Sequence, residues 1–298
     1  MGATSERIRR IVDSKRFAAN ILFYPSFLVL TAVTIVPIVY VLFNSLRTYW
    51  LSDPSKTKFI WLGNYAQMFR DKLFLHSLEI TAITVIAAVA LEVLIGLILA
   101  LIMERDSRAL KYLRGVILVP MMLTPIVIGL LWKFMYDASF GILNYFIKSV
   151  SGLTLLFLGS YQQALASVII VEVWQWTPFA FLMISAGLKS IDPQLYEAAA
   201  IDGSNRLRSL LHITLPLLRN IIIITALFRA IDVLKLFDIV YAMTGGGPSD
   251  ATMVLGVYNY RIGFKFFNIG YGSSIAVFQV ALMGVALTLL TKVLRVKF

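Results

Sequence analysis

The chain has 298 residues, 59% of them apolar and 14% charged, with no cysteine, a net charge of +11 and a mean hydropathy of +0.83. A water-soluble domain of this length carries about a quarter charged residues, so lipid is the expected solvent, and the lack of cysteine excludes disulfides and thiolate metal sites. The basic excess could serve nucleic acid, but it falls in short segments between apolar runs, where it orients spans instead.

Residues 1–20 form a basic juxtamembrane segment, in which the stretch 5–16 is expected to lie as a helix on anionic lipid. The first apolar run, 21–46, has the basic lead-in of a secretory signal. It is longer than the roughly 7–15-residue apolar core of such a signal, and no small-x-small cleavage site follows, so it reads as a retained span. A spanning helix needs about 20 apolar residues, and five more such runs follow at 76–103, 115–136, 161–188, 219–243 and 271–294. Barrel strands would instead alternate over about 10 residues. Helices satisfy their own backbone groups in lipid, so the expected fold is all-α, a polytopic membrane protein of six transmembrane helices.

The segments between the runs carry the polar signals. In 47–75, Trp50, Trp61 and Tyr65 suit interfacial anchors. In the third run Trp132 and Tyr136 stack one turn apart, with Lys133 adjacent. In the fourth, Glu172, Gln175, Trp176 and Phe179 share one helix face, and Pro178 can kink it. An aromatic platform beside hydrogen-bonding groups suits a sugar; the same residues can equally pack helix on helix, with Glu172 tied to Lys133 or Arg229. In 189–218, Asp192 and Pro193 can start a helix, Gly203 can end it, and a second short helix from Asn205 to Leu211 precedes Leu215-Pro216, which redirects the chain into the fifth run. That run holds Arg229, Asp232, Lys235 and Asp238 in steps of three, a ladder able to pair internally or to face a pathway. With the N-terminus inside, 16 basic residues fall on the cytoplasmic side and eight on the other, which places both termini and the 189–218 segment in the cytoplasm.

The segment Glu197-Ala198-Ala199, Gly203, Ile213, Leu215-Pro216 reads E-A-A-x3-G-x9-I-x-L-P and resembles the cytoplasmic loop of membrane subunits of ABC importers. The resemblance implies the type I importer permease fold, and a coupling helix at 189–218 in which Glu197, Ala198, Ala199, Asp202, Gly203, Leu215 and Pro216 dock a separate ATPase. Leu236-Phe237-Asp238, Thr244-Gly245-Gly246-Gly247-Pro248 and Thr252 are similar to the carbohydrate-uptake members of the family, of the maltose and glycerol-phosphate type. Trp61-Leu62-Gly63-Asn64-Tyr65 and Gly141-Ile142-Leu143-Asn144 sit where those members have similar segments. Gly245, Gly246, Gly247 and Pro248 are expected in an outer loop at the pore mouth or against the docked binding protein.

The function implied is a permease subunit of a binding-protein-dependent importer in a prokaryotic cell membrane, carrying a sugar, oligosaccharide or polyol. Its implied partners are a second homologous permease, two ATPase subunits that hold ATP and Mg, an extracytoplasmic solute-binding protein and the bilayer. The chain lacks a G-x4-G-K-[ST] loop and has only two separated histidines, His76 and His212, so no catalysis, metal or cofactor is expected on it. Candidate pathway residues are Trp132, Glu172, Gln175, Trp176, Arg229, Asp232 and Asp238. An importer for an amino acid or peptide, or an ion-coupled secondary transporter, are the alternative readings.

Overall fold

The computed structural model describes residues 15–104 and 108–293; most of the basic stretch 5–16 lies outside them. Helix α1 (Lys15–Ser45) leads into a two-stranded hairpin, β1 (Arg47–Thr48) and β2 (Lys58–Phe59), and a short α2 (Gly63–Met68). Then come α3 (Lys72–Ile102), α4 (Arg108–Met122), α5 (Pro125–Met135), α6 (Ile142–Ser151) and α7 (Tyr161–Lys189). The remainder is α8 (Pro193–Ile201), α9 (Arg206–Ser209), α10 (Leu215–Leu234), α11 (Asp238–Met243), α12 (Leu255–Tyr260) and α13 (Ile269–Val293). Among the described residues, five helices are long and apolar enough to cross a membrane, and the spans number six if the bent pair α4–α5 is one.

Two of the expected spans are not continuous. The run 115–136 is bent by 99° between α4 and α5. Thr124 stands before Pro125 and is extended, φ −69° and ψ 136°, because a following proline disfavours the helical region; Pro125 then opens α5 at its first turn, where no N–H is needed. The run 219–243 stops at Leu234 and resumes at Asp238. No proline or glycine lies in residues 235–237. Here tertiary packing decides, since α12 approaches so closely that a Cβ on Gly256 would stand 2.7 Å from the Leu236 carbonyl oxygen.

Each break frees carbonyls that lipid cannot satisfy, and a glutamine from a neighbouring helix meets each one. Gln175 Nε2 donates to the Leu123 oxygen at 3.2 Å, and Gln279 Nε2 donates to the Leu234 oxygen at 2.6 Å.

The interior is built around α3 and α7, which run against each other along most of their length. Small residues permit this: Ala88, Gly96 and Ala100 are buried on α3 and Ala180 on α7. By contrast α1 leans on α13 and leaves Phe27, Leu30, Val33, Val36 and Val39 exposed, a surface suited to lipid or a partner helix.

One end of the bundle is sealed by the loops. Asn64 Nδ2 donates to the carbonyls of Ser45 and Arg47, at 2.8 and 2.9 Å. Asn144 Nδ2 donates to the Asp137 and Leu155 oxygens, and its Oδ1 accepts from the Leu155 N–H at 2.8 Å. Both asparagines are buried, so these motif positions hold loops together. Trp61 is left exposed, while Tyr65 donates to Ser45 Oγ at 2.9 Å.

At the same end Asp71 caps α3 by accepting from the Leu73 and Phe74 N–H groups. Its other oxygen accepts from the Tyr258 hydroxyl and, at 2.9 Å, from the Tyr271 hydroxyl. Burial acts to raise this carboxyl, but the four hydrogen bonds outweigh it and hold it below its ordinary value of 3.8. A depressed acid stabilises the fold above its unfolded pKa and loses that contribution as pH falls through the folded value. The melting temperature in detergent should therefore fall below about pH 4. The Asp71→Asn variant, less stable at neutral pH, should show a shallower fall on acidification; parallel curves would exclude Asp71 as the source.

Candidate functional site

Arg229 on α10 is fully buried and ties three helices together. Its Nε donates to Glu92 Oε2 at 2.6 Å, and its Nη2 donates to Glu92 Oε1 at 3.1 Å and to Glu172 Oε1 at 2.7 Å. Nη1 reaches Asp232 Oδ2 at 3.4 Å, and Lys235 Nζ holds Asp232 Oδ1 at 3.0 Å. The Trp176 ring covers the guanidinium, 4.6 Å from its centroid, a cation–π contact. A guanidinium matches this task because its rigid fork engages carboxylates through paired N–H groups.

Glu172 is buried, and its Oε2 has no hydrogen-bond partner among the described residues. It borders a cavity of about 260 Å³ together with Trp176, Asp232, Lys235 and Asp238. Pro125 and Phe237, one from each helix break, close the cavity. The two discontinuities in the bundle therefore open onto the same space, and lipid-exposed irregular backbone is tolerated at such depth only where it lines a polar cavity or is buried in protein. Half of Asp232 and of Lys235 is exposed there, 49% and 54% of each side chain.

Of the seven pathway candidates, Glu172, Trp176, Asp232 and Asp238 converge on this cavity, and Arg229 lies one layer behind it. Trp132 stands elsewhere, packed on Tyr136 and Trp174 with centroids 5.2 and 5.4 Å away. Gln175 points to the first helix break. The ladder pairs internally from Arg229 to Lys235 and ends there, because Asp238 begins a new helix. Glu172 takes Arg229 as its partner. Two participants went unread in the sequence. Glu92 is a carboxylate inside a long apolar run, a costly placement that marks it as paired; Gln279 carries a weaker form of the same signal.

At the opposite end of the bundle, α8 forms a protruding knob with no buried residue. Asp192 accepts from the Gln194 N–H at 2.9 Å, and Pro193 occupies the first turn. Gly203 stops the helix with φ +77°, a conformation in which a side chain is strained, and the Ser204 N–H closes back on the Ala199 oxygen at 2.8 Å. Glu197, Ala198 and Asp202 are exposed, as is Ile201 at 87%. Tyr196 and Thr214 join hydroxyls at 2.9 Å and fix the knob to the following rod.

That rod differs from the expected arrangement. Leu215-Pro216 do not redirect the chain: Arg206 to Leu234 is one 29-residue helix. Its turn at Leu210–Thr214 is a π-helix, in which the Leu215 N–H bonds the Leu210 oxygen. The wider turn accommodates Pro216, which has no N–H to donate, without a kink.

The segment Thr244–Thr252 is a folded plug. Gly245 and Gly246 adopt φ +61° and +98°, and the Gly247–Pro248 bond is cis. A Cβ on Gly246 would lie 2.3 Å from Met253 Cε. Thr252 is buried, joins the Thr244 hydroxyl at 2.7 Å and donates to the Gly247 oxygen at 2.8 Å. His76 contacts the Asp250 carbonyl at 3.0 Å, locking the plug to α3.

Long apolar helices around a polar, helix-broken centre, with a polar knob at one end, define a multi-pass membrane transport subunit. The chain belongs to the binding-protein-dependent transport system inner membrane component family, which matches residues 92–297. It is 36% identical over 297 residues to a probable ABC transporter permease of Sinorhizobium fredii, covering 99% of this chain and 95% of the relative. It is 33% identical over 279 residues to the trehalose/maltose transport system permease protein MalF of Thermococcus litoralis, covering 91% and 89%. The fold matches a subunit of a bacterial ABC transporter involved in import of the acidic polysaccharide alginate, with a TM-score of 0.81 over 97% of this chain and 98% of that one, at 17% identity.

Proposed function

We propose that this chain is the permease subunit of an ATP-driven importer for a sugar, oligosaccharide or polyol, and that it supplies half of the translocation pathway. The observation that carries the reading is the placement of three exposed ionisable side chains, Asp232, Lys235 and Asp238, at a cavity onto which both helix breaks open. An ionisable group facing lipid at mid-depth costs about 2.5–3.5 kcal/mol on insertion scales, so these groups face a pathway shared with a partner. A cavity of about 260 Å³ is at the small end for ligand sites, as expected of one half of a shared site. Trp176 offers a ring face to the C–H surface of a sugar, and Asp232 and Asp238 offer acceptors to its hydroxyls. The likeness to a trehalose/maltose permease supports the same cargo class.

The partners would be a second homologous permease, two ATPase subunits that hold ATP and Mg, and an extracytoplasmic solute-binding protein; the chain itself would be non-catalytic. Both termini and the 189–218 loop would lie in the cytoplasm, where Glu197, Ala198, Ala199, Asp202 and Gly203 form the docking face, held by the rod that contains Leu215 and Pro216. ATP binding would draw two such knobs together and turn the pathway outward, and hydrolysis would reverse it. The loop of Gly245, Gly246, Gly247 and Pro248 would close the outer mouth.

Reconstitution tests this directly. Vesicles holding the co-expressed complex should accumulate a labelled saccharide only with ATP and the binding protein present. Uptake by this chain alone, driven by a proton or sodium gradient, would overturn the reading in favour of ion coupling.

A further inference from the structure

We infer that the central cavity selects cargo without negative charge: a neutral or amine-bearing saccharide is accepted, and one carrying a phosphate, sulfonate or uronate is rejected by Glu172, Asp232 and Asp238. The inference rests on the saccharide reading above and sharpens it. The fold alone does not set the sign of the cargo, because the alginate importer of the same fold imports an acidic polysaccharide.

The argument starts from the cations. Arg229 is the nearest, and its three nitrogens are engaged by Glu92, Glu172 and Asp232. Its open π-face side is covered by the Trp176 ring. Lys235 reaches the cavity, but its Nζ is 3.0 Å from Asp232. An anionic group entering the cavity would have to displace a carboxylate to gain Arg229, and could meet Lys235 only beside Asp232. Meanwhile Asp238 borders the cavity and forms no ion pair among the described residues. Glu172 is buried beside the cavity, and its Oε2 has no partner among the described residues. The Asp238 carboxylate is an acceptor for O–H or N–H groups, whereas an anion meets it, with Asp232 beside it and Glu172 behind, as like charge. Arg229 is thus a structural cation that holds Glu172 in position, and the carboxylates set the sign of the site.

The test uses the assembled detergent-purified complex without binding protein, so that delivery does not decide the outcome. Tryptophan fluorescence is titrated with trehalose and trehalose 6-phosphate, and with maltose and maltobionate, two pairs whose members differ in charge and whose anionic groups, phosphate and carboxylate, differ in size and shape. The neutral member should bind about tenfold or more tightly than its anionic partner, a ratio that one opposing charge in such a site readily produces. The Asp232→Asn and Asp238→Asn variants should narrow the ratio, and Lys235→Gln should widen it; these opposite signs separate an electrostatic role from general disturbance, with melting temperatures as the folding control. Equal binding of both members, or a ratio that none of the variants moves, would overturn the inference while leaving the saccharide reading intact. Binding of neither pair would overturn the saccharide reading and this inference with it.

Discussion

In the Glu197→Lys variant, ATP hydrolysis stimulated by cargo-loaded binding protein should fall by an order of magnitude or more, with the membrane fold unchanged. Glu197 sits on a helix without a single buried residue and makes no ion pair among the described residues. Surface substitutions of this kind usually change stability by no more than about 0.5 kcal/mol, so the melting temperature should hold. What changes, on the proposed docking, is the sign of charge presented to the ATPase subunit. Losing one charge-assisted contact and replacing it with a like-charge clash costs about 2 kcal/mol or more at a docked surface. Co-purification of the ATPase subunits should therefore weaken in parallel with activity. An acidic substitution at the facing basic residue of the ATPase should restore both. Undiminished stimulation would mean that the force passes elsewhere.

Removal of Arg229 should be the most damaging single change to the fold itself. Arg229→Met leaves Glu92 and Glu172 buried and facing one another with no cation between them, and breaking a buried pair in this way costs about 3–5 kcal/mol. A large drop in the detergent melting temperature, or failure to accumulate in the membrane, is the expected result. Adding Glu92→Gln and Glu172→Gln to Arg229→Met removes the stranded charges, and such wholesale replacement is often neutral or stabilising. The triple variant should recover most of the lost melting temperature. If it does not, the network is more than an electrostatic tie and its exact side-chain packing matters. Recovery of the fold without recovery of uptake would show that the network serves transport as well as stability.

The helix Pro193–Ile201 was legible because its determinants are local. Asp192 as cap, Pro193 in the first turn and Gly203 at positive φ act within a few residues of one another, and the observed helix Pro193–Ile201 follows from them. The fourth apolar run was equally plain and became α7 almost residue for residue. The bend at Pro125 also carried a local signal, a proline preceded by an extended residue, although composition alone merged the two halves into one apolar run. The break after Leu234 had no such signal; it exists because α12 presses against Leu236 and because Gln279, 45 residues further along the chain, satisfies the freed carbonyl.

For the site, the residue types were readable but their roles were not. A carboxylate, an arginine and a tryptophan in lipid-length helices announce that something polar lies inside. Whether they meet cargo or one another depends on three helices whose contacts span 57 and 137 residues of sequence. Gln175 and Trp132 share the chemistry of a binding site, yet one repairs a helix end and the other fills a gap between aromatic rings.

Taken alone, the amino-acid order determined the number of apolar runs, the helical class and the exposed helix Pro193–Ile201, since hydropathy, caps and turn residues act over one or two helical turns. Only the tertiary structure decided where two helices break, which carboxylates Arg229 holds, and that both breaks open on one cavity. Those outcomes depend on partners brought together from distant parts of the chain, where an unmet carbonyl or charge in a lipid-surrounded interior must find whichever donor the packing supplies.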